Sequence, residues 1–375
     1  SMLDKPEHPP QPNLAQRLNR LRAAMEEKEL HAFVVSTLPN AFYFTGFACS
    51  NPFLIITNEE CIFLTDFRYA EAAEQNLAQP WHLVVASSPG ATKEIAQILS
   101  ASRPLHIGFE GTASYDHFKK LTELAPQGTL LIESARIIRD LRAQKDEFEI
   151  AAIEKAQELN EEVLANVLAG VSFNDITERG LLKELRKNMV EKEVEEAFPS
   201  IVAFGEAASR PHAVPGDKKL TTEAGVVLVD MGVRQHHYCS DMTRTFGYGT
   251  GANLQKVAEI YQIVLDAQLA ALDSVRPGIA ASEVDQRARD VIEKAGYGEF
   301  FGHGLGHGVG LEIHEAPTLN PHSTDVLEPG MVITIEPGIY LPGIGGVRIE
   351  DLIVVEHSGY RNLTYFPKEW KILRK

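Results

Sequence analysis

Gly302-His303-Gly304-Leu305-Gly306-His307-Gly308-Val309-Gly310-Leu311-Glu312-Ile313-His314-Glu315 packs three histidines among five glycines. Glycine admits positive φ and close backbone approach, and imidazole binds metal or moves protons near neutral pH. Weak helix and strand formers gathered this densely serve a site better than a scaffold. The stretch is expected to run extended, with its glycines letting backbone and ligand come close to a bound metal. The remaining ligands must then come from the flanking chain.

Downstream, the apolar run 331–335 ends at Glu336, and Gly346-Val347-Arg348-Ile349 leads into Glu350. The point midway between the two acids is Gly343, inside Leu341-Pro342-Gly343-Ile344-Gly345-Gly346, a strong turn signal. Glu336 and Glu350 are therefore expected to face each other across a hairpin. Period-2 alternation puts Arg348 on the face of Glu350 and turns Asp351 away. Upstream, Val226-Val227-Leu228-Val229 ends at Asp230, and Ser240-Asp241-Met242-Thr243-Arg244-Thr245-Phe246 follows. A turn between Gln235 and His236 would make Asp230 and Asp241 cross-strand neighbours, with Cβ atoms roughly 4.5–5.5 Å apart. Anions so placed repel unless a cation lies between them. Four carboxylates and one imidazole suit two divalent ions: Mn(II) first for an oxygen-rich set, with Co(II), Fe(II) and Zn(II) as alternatives. Such a pair holds a bridging hydroxide and polarises a carbonyl. His236 and His237, at the expected turn, read as solvated.

Each hairpin follows two helices. The first pass has helices over 147–168 and 174–192 and a strand over 200–204. The second has helices over 253–272 and from a cap at Ser282, then the glycine–histidine stretch. Element order thus predicts a duplicated plan, without a residue-level repeat. Before it, Asn13 caps a helix with an apolar stripe at Leu14, Leu18, Leu21 and Met25. Strands over 31–37, 53–56, 62–64, 83–85, 105–109 and 130–132 then accompany helices over 92–99 and 115–124, which reads as an α/β domain. The expected division is a disordered segment over 1–12, an N-terminal domain over 13–138 and a catalytic domain over 139–375, joined through a polar stretch over 136–147.

Composition narrows the partners. With 36 basic against 52 acidic residues, the net charge of −16 disfavours nucleic acid and anionic membranes. Three scattered cysteines read as reduced thiols. There is no transmembrane-length apolar run and no signal-peptide core, so the cytoplasm is the expected compartment. Other motifs fail: the glycines do not fit G-x-G-x-x-G, and Thr318 stands where H-E-x-x-H needs histidine.

Asp230-Met231-Gly232, Ser240-Asp241-Met242-Thr243-Arg244-Thr245, the stretch ending His314-Glu315, Ile335-Glu336-Pro337-Gly338 and Val347-Arg348-Ile349-Glu350-Asp351 together resemble the pita-bread metallopeptidases, within them the proline peptidases (Xaa-Pro aminopeptidase and Xaa-Pro dipeptidase, or prolidase). Asn40-Ala41-Phe42-Tyr43-Phe44-Thr45-Gly46-Phe47 and Leu64-Thr65-Asp66-Phe67-Arg68-Tyr69 resemble the creatinase-type N-terminal domain. The resemblance implies an α/β (α+β) chain, with that domain followed by a pita-bread domain of pseudo-twofold duplication. It implies Asp230, Asp241, His307, Glu336 and Glu350 as the ligands of two divalent ions, so one of the three histidines binds metal. It implies His212, His303 and His314 as substrate-handling histidines, Arg348 as a support of the catalytic region, and Glu336 also as proton shuttle. The substrate implied is a proline-containing di- or oligopeptide, and the assembly a homodimer in which one subunit's N-terminal domain helps close the other's site. The loop Ala316-Pro317-Thr318-Leu319-Asn320-Pro321-His322-Ser323 lacks the arginine by which many prolidases grip a dipeptide carboxylate, which points to an aminopeptidase. A creatinase-like amidinohydrolase and a non-catalytic peptide-binding relative are the alternatives.

Overall fold

The computed structural model describes residues 12–374. The disorder expected over 1–12 falls, but for Pro12, outside the described residues. The chain divides between Arg142 and Ala143 into two compact units.

Residues 12–142 build a six-stranded mixed sheet in the order His82–Val85, Cys61–Thr65, Phe53–Thr57, Ala32–Val35, His106–Phe109, Leu130–Glu133. Phe53–Thr57 and Cys61–Thr65 form the expected hairpin, with Phe53 opposite Leu64 and Ile56 opposite Cys61. The helix Leu14–Glu27 begins at Asn13, whose side chain accepts from Gln16 N–H, and it buries Leu18, Leu21 and Met25. Three helices lie where sequence patterning gave none. Leu38–Thr45 starts with proline in its first turn, Phe67–Asn76 is capped by Asp66, and Ala135–Ala143 occupies the stretch expected as a polar connection. The last of these moves the division between units four residues beyond the expected 138.

Residues 143–374 carry the duplicated plan. The helices Glu147–Gly170 and Glu178–Glu191 precede one set of strands, and Ala252–Ser274 and Ala281–Lys294 precede another. Asp146 and Glu149 form a reciprocal capping box at the start of the first helix. The cap of the fourth is Ala280 rather than the expected Ser282. In one sheet Ile201–Phe204, Gly225–Met231 and Met242–Tyr248 lie side by side, all antiparallel. In the other Gly306–Gly308, Val332–Ile335 and Asp351–Glu356 repeat that arrangement.

The duplication reaches single hydrogen bonds. Leu220 N–H donates to Ile176 C=O at 2.8 Å and Glu178 N–H to Lys218 C=O at 3.1 Å, at the start of one second helix. At the start of the other, Leu327 N–H donates to Ile279 C=O and Ala281 N–H to Asp325 C=O, both at 2.9 Å.

The strand Gly225–Met231 is buried on both sides and sorts its residues by parity. Val227, Val229 and Met231 pack with the first helix pair, whereas Val226 and Leu228 pack with the second. Asp230 shares the face of Val226 and Leu228. On Val332–Ile335, Ile333 and Ile335 join the core of the second helix pair, which leaves Glu336 on the opposite side. The acids therefore stand where the two sheets' inner faces meet.

Candidate metal centre

In the first hairpin Asp230 lies opposite Thr243, not Asp241. The turn falls on His236 and His237, both exposed and both at positive φ, one residue later than expected. Each added residue before the turn shifts facing pairs by two, so Asp241 is the diagonal neighbour of Asp230 on the same face. Parity survives the shift, and so does the convergence of the acids. In the second hairpin Ile335 faces Asp351 and Gly338 faces Arg348, a single register that places Glu336 opposite Glu350 about the Gly343 turn.

The hairpins are joined where Thr243 meets Glu350. Glu350 N–H donates to Thr243 C=O at 3.1 Å, and Thr243 Oγ1 donates to Glu350 Oε1 at 2.7 Å. Arg348 extends the junction: Nε donates to Thr243 Oγ1 at 3.3 Å and Nη2 to Asp230 Oδ2 at 2.8 Å. Asp351, turned away as expected, pairs with Arg244 at 2.8 Å and Lys368 at 2.7 Å.

His307 arrives from the strand Gly306–Gly308, which lies between Glu315–Leu319 and Val332–Ile335 in the second sheet. Its Nδ1 donates to Gly308 C=O at 2.9 Å, which orients the ring so that Nε2 points at the acids. Nε2 stands 3.4 Å from both Asp241 Oδ2 and Glu336 Oε2. The flanking glycines serve the sheet. A Cβ on Gly306 would lie 1.9 Å from Thr334 O, and one on Gly308 1.9 Å from Ala316 O. Close approach here is to neighbouring strands, not to the ligand space expected from sequence.

Ligand atoms of Asp241, His307, Glu336 and Glu350 all lie within 4.8 Å of one another. Asp230 Oδ1, Asp241 Oδ1, Glu336 Oε2 and Glu350 Oε2 are buried with no hydrogen-bond partner. Four orphaned carboxylate oxygens beside an imidazole held in orientation by Gly308 C=O are a donor set for hard-to-borderline divalent cations, and the residues fit such ions. The electrostatics agree. Burial, with repulsion from neighbouring acids, raises the pKa of Asp230 and Glu350, and Asp241 is pushed up to about 7. For His307 burial opposes the charged form, but Asp241 and Glu336 outweigh it and raise the pKa.

A cavity of about 290 Å³ opens onto this cluster, lined by His212, His303, His314, Asp230, Asp241, His307, Glu336 and Arg348, with Phe198, Ile201 and Leu319 as apolar wall. All nine residues singled out from sequence thus gather at one place, Glu350 through its contacts with the rest. The His314 ring meets the His307 ring edge-on at 4.3 Å, and burial lowers its pKa. His303 Nδ1 donates to Gly304 C=O at 2.7 Å, while Nε2 accepts from Tyr340 O–H at 2.6 Å. Arg348 Nη1 donates to the same Tyr340 oxygen at 3.0 Å. Tyr340 thus links His303 to Arg348 and so to Asp230. Sequence reasoning missed it, although its even-numbered place on the Glu336 hairpin puts it on the face of Arg348 and Glu350. Gln157, fully buried on Glu147–Gly170, was also missed; its Oε1 accepts from Asp241 N–H at 3.3 Å.

Residues 151–357 match the model of metallopeptidase family M24, and residues 17–144 match the creatinase/prolidase N-terminal domain. The chain belongs to metallopeptidase family M24. Among its M24 relatives is an Xaa-Pro dipeptidase of Pyrococcus furiosus, 36% identical over 369 residues, covering 95% of this chain and 99% of that one. Among solved structures, an Xaa-Pro dipeptidase from Bacillus anthracis superposes with a TM-score of 0.91 at 35% identity, covering 96% of this chain and all of the other. An X-Pro aminopeptidase from Thermotoga maritima gives a TM-score of 0.84 at 30% identity, covering 95% and 99%. The family assignment and the two-domain α/β architecture expected from sequence are borne out.

Proposed function

We propose that this M24 chain is a dimetal exopeptidase that removes an N-terminal residue from in front of proline. The observation that carries the reading is the four orphaned acid oxygens grouped with His307 Nε2 at the floor of a cavity walled by three further histidines. Its relatives carrying the names Xaa-Pro dipeptidase and X-Pro aminopeptidase support the substrate class.

Asp230, Asp241, His307, Glu336 and Glu350 would hold the two ions, and the preponderance of oxygen favours Mn(II). Bound divalent ions supply Lewis-acid polarisation of the scissile carbonyl and acidification of water. Glu336 would accept the proton of the attacking water and return it to the departing proline nitrogen. His314 donates towards the developing oxyanion. His212 lines the cavity beside the scissile amide. His303, with both ring nitrogens engaged, fixes the wall through Tyr340. Arg348 holds Asp230 in place. The proline amide has no N–H, so the apolar wall of Phe198, Ile201 and Leu319 can receive the ring without an unmet donor.

Thr318 and Asn320 stand on the cavity wall in the loop that lacks arginine. A dipeptide's carboxylate meets no arginine or lysine from this loop, which supports acceptance of longer peptides. The deciding experiment compares Xaa-Pro with Xaa-Pro-Yaa as substrates, with added Mn(II) and after chelation. Turnover that is abolished by chelator is expected, with preference for the longer peptide. Turnover of neither by metal-loaded protein would refute the reading.

We assign the chain to the cytoplasm as a homodimer. Three free cysteines suit a reducing compartment. Fractionation and light scattering test the two assignments.

A further inference from the structure

Residues 301–305, which carry His303, form neither helix nor strand, so their backbone groups need partners from elsewhere. One ion pair on the helix Ala281–Lys294 supplies three. Asp285, fully buried, and Arg289, one turn on, meet in a two-point contact at 2.9 and 3.0 Å. Arg289 Nη1 donates to Phe301 C=O and Nη2 to His303 C=O, both at 2.9 Å. Asp285 Oδ2 accepts from Leu305 N–H at 3.0 Å. The guanidinium lies 4.2 Å from the Phe301 ring centroid, and that ring meets His303 perpendicularly at 5.1 Å. Leu305 C=O in turn accepts from Glu336 N–H at 2.8 Å.

We propose that Asp285 and Arg289 are positioning residues: their ion pair fixes the backbone on both sides of His303 and sets where its imidazole stands in the cavity. A buried ion pair gains little stability over apolar side chains of the same size. Directed bonds to residues 301, 303 and 305, by contrast, fix the peptide planes that aim one side chain. Neither residue lines the cavity, so they act through the backbone of residues 301–305, on His303 directly and on Glu336 through Leu305, and the measurement of bound metal separates the second route from the first. The inference rests on the proposed activity, since His303 must serve that reaction for its placement to matter.

A double-mutant cycle on the metal-loaded full chain tests it, with kcat, KM and bound metal measured for R289Q, H303N and R289Q/H303N. R289Q is expected to lower kcat about 10–100-fold with little change in KM or metal content, the scale of a displaced active-site group. In the H303N background R289Q should add no further loss, and R289K, which keeps the charge, should recover part of kcat. Additive losses, or a loss explained by missing metal, would overturn the proposal. D285N, of nearly the same shape, takes the place of R289Q in the cycle should that variant not fold. A wild-type chain inactive on Xaa-Pro peptides refutes the proposed function; an active wild type with an additive cycle refutes only this inference.

Discussion

His307 owes its usefulness to the carbonyl of Gly308, which occupies Nδ1 and turns Nε2 towards Asp241 and Glu336, where an arriving cation would replace its proton. Arg348 does comparable work for Asp230 by committing one of its two oxygens and leaving the other bare. Lysine at 348 cannot reach Asp230, Thr243 and Tyr340 together. R348K is expected to reduce metal affinity or kcat by about 10–100-fold, as for other partners of metal ligands, measured by metal titration and peptide turnover. The acids also set a pH signature for chelated protein. Asp241 rises from 3.8 to about 7, and Asp230 and Glu350 rise with it. Glu336, despite its burial, is lowered by its contacts with Glu350 and His307 and offsets them only below about pH 5. Between about pH 5 and 7 the folded state thus holds protons that the unfolded chain has released. Stability contributed by these groups therefore falls as pH rises through that window. Thermal unfolding of chelated protein should show the fall, and Mn(II) should abolish it. Asp351 has the opposite sign: despite its burial, Arg244 and Lys368 hold its pKa below the usual value. Its contribution is present above about pH 4 and lost in stronger acid. D351N is expected to cost about 3–5 kcal/mol at neutral pH, the range for breaking a buried pair, read from denaturant unfolding.

The strand Gly306–Gly308 lies between Glu315–Leu319 and Val332–Ile335 with no room for a Cβ at either end. G306A and G308A are each expected to lose at least about 1–3 kcal/mol, the usual scale of overpacking, together with bound metal, because His307 stands between them. Calorimetry and metal analysis check both. The same strand shows what was legible in advance. Its composition announced a site, and the proline–glycine turn about Gly343 fixed which acids face each other in the second hairpin. The first hairpin has no such marker. Histidines at both positive-φ positions gave no turn signal, and the register was misplaced by two residues while the face stayed right. Leu38–Thr45 escaped notice because it spans only eight residues and opens with Leu38-Pro39, too short for helical periodicity to emerge. Tyr340 and the pair Asp285–Arg289 depend on which segments the fold brings alongside His303. Spacing gives the face of Tyr340 and the i,i+4 pairing of Asp285 with Arg289, but not that both meet His303.

At the scale of the molecule, every residue of the candidate metal centre comes from residues 143–374, while residues 12–142 enclose an apolar core of their own around Val34, Ile55 and Ile107. No helix among the described residues is long and apolar enough to cross a membrane. Mn(II) at about 100 times its Kd is expected to stabilise the protein by about 2.7 kcal/mol. Hydrogen exchange should locate the added protection chiefly in residues 225–248, 306–319 and 332–350. Protection gained mainly in residues 12–142 would contradict the assignment of the centre. The duplicated plan carries one last consequence. Each repeat owns a single acid-bearing hairpin, and Thr243 touching Glu350 is where the repeats meet. A chain of one repeat would therefore bring only two acids, and could assemble four only across the axis of a symmetric pair. In a single chain the two halves need not be alike: the first carries aspartates and the second glutamates, and the imidazole at 307 belongs to the second alone.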